Sequence, residues 1–171
     1  WNNNWWQYWT TGGLPQERAY NTNVNVQFRN NWAVHPGVTI GQLGGTYDDR
    51  AARGGPAVRQ DPYVAPSISI GGDDRKPLTP YVWVNYWRGD AGHSNSLSLS
   101  SELDLKVASR FNSALSVNWS RNLNDTQWYG NLGSAGAPHY TFARLDQSTV
   151  GVTLRLNYTF TPNVSLQVYA Q

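Results

Sequence analysis

Three stretches of this chain alternate strictly between apolar and polar residues over about ten positions each. Val24, Val26 and Phe28 interleave with Asn21, Asn23, Asn25, Gln27 and Arg29. Leu97, Leu99, Leu103 and Leu105 interleave with Ser96, Ser98, Ser100, Glu102, Asp104 and Lys106. Val150, Val152, Leu154, Leu156 and Tyr158 interleave with Thr149, Gly151, Thr153, Arg155 and Asn157. A period of two puts each set on its own face of a sheet. Strands of soluble sandwiches are usually shorter, whereas roughly ten residues is the length that crosses a bilayer at a tilt. The pattern predicts an all-β fold: an antiparallel, up-and-down transmembrane β-barrel.

Composition fits a chain with one polar and one apolar face. Charged residues make up only 14% of the 171, fewer than a solvated globular surface carries. Mean hydropathy is negative, as expected when only every second strand residue needs to be apolar. No run of about 18 apolar residues occurs, so no transmembrane helix is expected. Nine Trp and ten Tyr suit membrane interfaces, where an apolar ring with a polar edge is well placed; core packing and carbohydrate stacking are the other uses of such rings. Cysteine is absent, which removes disulfides and thiolate metal sites. A net charge of +2 with dispersed basic residues gives no reason to expect nucleic acid.

The expected connections alternate in length. The strand ending near Trp9 leads to a loop over 10–18, and a strand over 20–29 reverses at Asn30-Asn31. A strand over 32–46 opens into a long loop over 47–62. The strand over 63–71 turns at Gly72-Asp73-Asp74, and that over 78–87 ends in a medium loop over 88–94. The strand over 96–106 turns at 108–110. The strand over 112–122 enters an irregular stretch or extended hairpin over 122–138. The strand within 140–158 is followed by a tight turn at Thr161-Pro162-Asn163 and a last strand over 164–171. Sorting of short turns from longer loops is the habit of outer-membrane barrels. About nine strands (eight to ten) result, and an even-stranded barrel then calls for additional strands from a longer chain or from a partner protein. Residues 1–171 are read as a single β-barrel segment of a longer precursor. Pro36, Pro66 and Pro80 fall inside strands, which predicts bulges or an open edge.

The lipid-facing set includes Val24, Val26, Phe28, Val38, Ile40, Ile68, Ile70, Val82, Val84, Leu97, Leu99, Leu103, Leu105, Leu115, Val117, Val150, Val152, Leu154, Leu156, Val164, Leu166 and Val168. Trp32, Tyr86, Phe111, Trp119, Tyr158 and Phe160 are candidate girdle residues. Trp83 and Trp87, beside Tyr81 and Asn85 on the lumen face, fit either a sugar-stacking track or a packed lumen. Arg50, Arg53 and Arg59 form the one local basic cluster. They could meet lipopolysaccharide or acidic glycans, or pair with Asp48, Asp49 and Asp61. His35, His93 and His139 show no metal-ligand or catalytic spacing, and the Asp48-Asp49 and Asp73-Asp74 pairs read as turn chemistry. No cofactor, metal site or catalytic residue is expected, nor is a phosphate-binding loop or nucleophile motif present.

Several strings resemble the C-terminal region of a family of large Gram-negative proteins of unknown function. They are Arg53-Gly54-Gly55-Pro56, Asp74-Arg75-Lys76-Pro77, Phe142-Ala143-Arg144-Leu145-Asp146-Gln147, the run from Leu154 to Asn163, and the run from Ser165 to Gln171. In that family a region predicted to be a β-barrel follows an N-terminal module similar to family-9 carbohydrate-binding domains. The resemblance implies a cell outer-membrane location and a longer parent chain. It carries no catalytic residue onto this segment. The expected function is a non-enzymatic outer-membrane anchor or pore, porin-like, serving surface carbohydrate handling, with lipid bilayer and lipopolysaccharide as partners. Two rival expectations are a soluble carbohydrate-binding β-sandwich, stacking sugars on Trp83, Trp87 or Trp128, and a structural membrane subunit docking on a larger complex.

Overall fold

The computed structural model describes residues 1–134 and 136–171. The strands are β1 (Asn2–Trp9), β2 (Pro15–Asn23), β3 (Val26–Gln27), β4 (Ala33–Gly41), β5 (Thr46–Asp48) and β6 (Val58–Gln60). They continue with β7 (Tyr63–Gly71), β8 (Leu78–Gly89), β9 (Ser94–Ala108), β10 (Phe111–Ser134), β11 (Ala137–Thr161) and β12 (Val164–Ala170). Among the described residues no α-helix forms, and a single short 3₁₀ turn spans Asp90–Gly92. Abundant Asn, Ser, Thr and Gly without helical spacing of apolar residues account for that.

Nine strands form one antiparallel meander in the order β1-β2-β4-β7-β8-β9-β10-β11-β12; β3 adds to β4, and β5 and β6 make a separate hairpin. Among the described residues the sheet is not closed: β1 and β12 each have a single neighbour. Trp6 of β1 and Phe142 of β11 nevertheless line one cleft. Seven strand spacings separate these strands, roughly 33 Å if the sheet were flat, so the wall curls. Its concave side carries the β5–β6 insertion.

Register makes the two faces explicit. Across the convex face run Pro36, Ile68, Val84, Leu99, Trp119 and Val150, each opposite the next. Below lie the rows Val34, Ile70, Val82, Ser101, Val117, Val152 and Pro80, Leu103, Leu115, Leu154, Ala170. No charged residue interrupts these rows. Leu97 to Leu105 spans roughly 27 Å along β9 at ~3.4 Å per residue. Tilted by about 40°, that is roughly 21 Å, near the ~25 Å apolar band of outer-membrane barrels. The concave face presents Asn23, Gly37, Ser67, Asn85, Ser98, Ser120 and Thr149 in a matching row. Its amides knit together: Asn2 donates to Asn23 at 3.0 Å, Asn23 to Asn21 at 2.7 Å, and Asn21 to Thr39 at 3.0 Å.

Among the described residues only Ala19 and Ala52 are buried apolar residues. The large apolar side chains stand outward, with Leu99 40%, Leu103 39% and Val117 38% exposed. Aromatic residues flank the belt. At the tight-turn end Phe111 lies 6.4 Å from Tyr158, which meets Phe160 edge-on at 4.7 Å. Tyr86 and Trp119 stand toward the opposite end, opposite Leu97 and Leu99.

Several boundaries depart from the sequence reading. β2 begins at Pro15 rather than after Arg18, because β1 pairs with it through Trp9. The strand expected over 20–29 breaks after Asn23, and that over 32–46 ends at Gly41. The long loop holds the β5–β6 hairpin. Of the two readings for 122–138, the extended hairpin is the one found over the described residues: β10 and β11 continue as a two-stranded ribbon, with register shifts at Asn124/Gln127 and Trp128/Gly130. Polar residues on both sides of that ribbon conceal its period.

Pro36, Pro66 and Pro80 occupy interior strands, not an open edge. Each falls where a ladder lapses, so no donor is lost from a paired site. Pro36 faces the gap between β2 and β3, its carbonyl accepting the Val24 N–H at 3.0 Å. No β8 partner stands opposite Ala65 and Pro66 in the β7–β8 register. Pro80 lies beyond the end of β7 and accepts from the Gly72 N–H at 2.8 Å.

Candidate functional site

A cleft of about 940 Å³ opens at the end of the wall opposite the tight turns. It is roofed by the connection over 42–62, a strap that leaves β4 and returns to β7. Arg18 anchors it at one side: its backbone carbonyl accepts from the Leu43 N–H at 3.1 Å and its guanidinium donates to the Gly44 carbonyl at 3.3 Å. Asp49 accepts from Gln16 Nε2 at 2.7 Å. At the other side the strap reaches the β10–β11 ribbon. Asn131 Nδ2 donates to the Arg53 carbonyl at 3.0 Å, and the Arg53 guanidinium stacks 4.2 Å from the centre of Trp128. Trp128 Nε1 is held by Asn131 Oδ1 at 3.0 Å.

The strap folds locally through short polar caps. Asp48 accepts the backbone N–H groups of Arg50 and Ala51 at 2.8 and 3.1 Å, an Asx turn. Arg53 and Gly54 both adopt positive φ, 45° and 97°, and this tightens the tip.

Aromatic residues from separated strands converge on the cleft: Trp6, Tyr63, Trp87, Trp128 and Phe142. Trp87 lies 5.8 Å from Tyr63. Two glycines make room for these rings. A Cβ on Gly41 would sit 2.2 Å from the Tyr63 ring, and one on Gly89 would sit 2.5 Å from Trp87.

Of the residues singled out from sequence, the cleft gathers Arg50, Arg53, Arg59 and Trp87, together with Trp128. Trp83 is not with them. It lies further down β8, between Ser69 and Ser100. The expected pairing of the arginines with Asp48, Asp49 and Asp61 does not form among the described residues. Asp48 is turned to its own turn and Asp49 to Gln16, which leaves the guanidinium donors directed elsewhere. The three arginines also sit on the cleft side, away from the apolar belt. Arg88 and Arg121 occupy its upper margin instead, and Arg121 pairs with Asp146 at 2.9 Å.

One constellation escaped the sequence reading. Ligand atoms of Asp90, His93 and Asp125 lie within 4.8 Å of one another, a donor set able to ligate a divalent cation. Asp90 accepts from Ser94 Oγ at 3.0 Å, Ser94 Oγ accepts the Asp125 N–H at 2.9 Å, and Arg144 stands 3.9 Å from Asp125. The Asp90–His93 spacing was the only available signal, because Asp125 arrives from a distant strand. His35 meets Ser69 at 3.2 Å, and His139 pairs with Leu132 in the ribbon.

The chain belongs to the family described as domain of unknown function DUF5916, whose profile matches residues 3–171. No curated protein and no solved structure matches it.

Proposed function

We propose that this chain is part of the wall of an outer-membrane β-barrel, a non-enzymatic anchor or pore that serves carbohydrate handling at the cell surface. One observation carries the reading: charge-free apolar rows cross the convex face below Arg88 and Arg121, while among the described residues Ala19 and Ala52 are the only buried apolar side chains. In water, so continuous an apolar surface is an aggregation hazard; in lipid it is the stabilising surface. Flanking aromatics, the amide-rich concave face and the tight turns confined to one end support the same reading. The bilayer is then the principal partner. Lipopolysaccharide would meet Arg88 and Arg121 at the belt margin, where long cationic side chains can reach headgroups. In that setting the free edges of β1 and β12 take further strands, since unpaired backbone in hydrocarbon costs several kcal/mol per group.

Membrane fractionation of the native protein tests this. It is expected in the outer-membrane fraction, resistant to alkaline carbonate and released only by detergent. Lipid-borne quenchers should dim its tryptophans. Recovery as a stable, monodisperse species in plain buffer would overturn the reading and return the soluble carbohydrate-binding alternative.

A further inference from the structure

We infer that the cleft beneath the strap binds a neutral oligosaccharide. The inference deepens the carbohydrate part of the reading above and does not depend on the membrane part.

A sugar ring offers apolar C–H faces and a rim of hydroxyl groups that both donate and accept. A site for it needs aromatic faces and a mixed set of fixed donors and acceptors. The five aromatic residues of the cleft supply the first. Trp87 is braced by Tyr63 and seated over Gly89. Trp128 is fixed by its bond to Asn131 and by Arg53 on its ring. Rings already held in place cost little further ordering when a ligand arrives.

The charges choose the class of sugar. Arg50, Arg53 and Arg59 line the cleft, and so do Asp48, Asp61 and Asp90. Three cations and three anions leave the lining without net charge, so it has no overall attraction for an acidic glycan. A neutral chain takes donors from the first set and acceptors from the second. Arg50 and Arg59 are free for this, since among the described residues neither guanidinium forms an ion pair, while Arg53 lies on the Trp128 ring. The volume of about 940 Å³ lies near the upper end of the roughly 300–1,000 Å³ typical of ligand sites, more than a single sugar ring needs. The cleft is also on the polar, concave side, which directs it to a soluble glycan and away from a lipid headgroup.

The test is calorimetric and fluorescence titration of the detergent-solubilised native protein with maltohexaose, cellohexaose, xylohexaose, mannohexaose and laminarihexaose. Oligogalacturonate serves as the acidic comparator. At least one neutral hexamer should bind and shift tryptophan emission, its affinity changing less than about twofold with added salt. Trp87→Ala should weaken that binding about tenfold and Trp87→Phe much less, as stacking requires. Trp83→Ala, on the same strand but outside the cleft, should leave it unaltered. Binding of oligogalacturonate alone, screened by salt, would overturn the inference, as would no binding by any neutral hexamer or equal losses in the Trp83 and Trp87 variants. A protein that binds the sugar yet proves soluble would refute the membrane reading and leave this one standing. A membrane-embedded protein that binds none of them would do the reverse.

Discussion

The wall formed by β7 to β10 and the mouth above it share strands but are held together differently. In the wall every strand pairs with its sequence neighbour, and the apolar and polar rows follow from alternation alone. In the mouth, single contacts join distant parts of the chain: Gln16 to Asp49, and Arg53 to Trp128 and Asn131. The wall is a repeated local solution, so no one pair is indispensable. The mouth is a set of individual clasps, each of which can be opened by itself.

That contrast can be broken most directly by a charge on the belt. Leu103→Arg should cost ~2–4 kcal/mol in lipid, whereas Ser100→Arg on the concave face should cost far less. Denaturant titration in vesicles compares them, and equal losses would mean that the two faces are not differently solvated. Gly89→Ala comes next. The added methyl would lie 2.5 Å from Trp87 and 3.2 Å from the Tyr63 Cβ, an overpacking worth ~1–3 kcal/mol. A shifted Trp87 emission with an unchanged unfolding midpoint for the wall would sharpen the division. An unshifted spectrum would show that Trp87 is not seated as described.

Smaller still is Arg53→Ala, which removes a cation–π contact of roughly 0.5–1 kcal/mol. Limited proteolysis near Gly54-Gly55 should accelerate while the strands stay resistant, and unchanged cleavage would argue that the strap is held elsewhere. The smallest effect belongs to the tight-turn end. There the Arg75 guanidinium grips both oxygens of Asp73 at 2.9 and 3.0 Å. Those side-chain hydrogen bonds lower the Asp73 carboxyl from its ordinary 3.8 to about 2. Because the folded value is depressed, the turn is stabilised above about pH 4, and the gain disappears as pH falls through about 2. Amide exchange at Arg75 and Lys76 should quicken over that window in the native protein and lose the acid dependence in Asp73→Asn.

The same contrast explains what was legible in the sequence. The strands over 63–71 and 78–87 were readable to within a few residues, because Ile68, Ile70, Val82 and Val84 report their face directly. The ribbon beyond Asn122 was legible only as one of two alternatives, an extended hairpin or an irregular stretch, because neither face of it is buried and its Asn, Gly and Ser residues carry no period. The arginine cluster was visible as a cluster, but its meeting with Trp87 and Trp128 depends on how the strap folds over the wall. Asp125 shows why the remainder was hidden: it reaches Asp90 and His93 through the pairing of β10 with β9, a relation that no local spacing encodes.

The outward set of the apolar side chains changes what damage a truncation can do. In a globular core, Leu→Ala leaves a void that rigid neighbours cannot fill, and that void accounts for much of the loss. Leu99, Leu103 and Val117 have a fluid on their outer side, and a fluid flows into whatever space is vacated. Shortening them should forfeit contact area without creating a cavity. The belt can therefore drift among apolar residues of different size far more freely than an interior can, while Gly41 and Gly89, each lying under an aromatic ring, cannot drift at all.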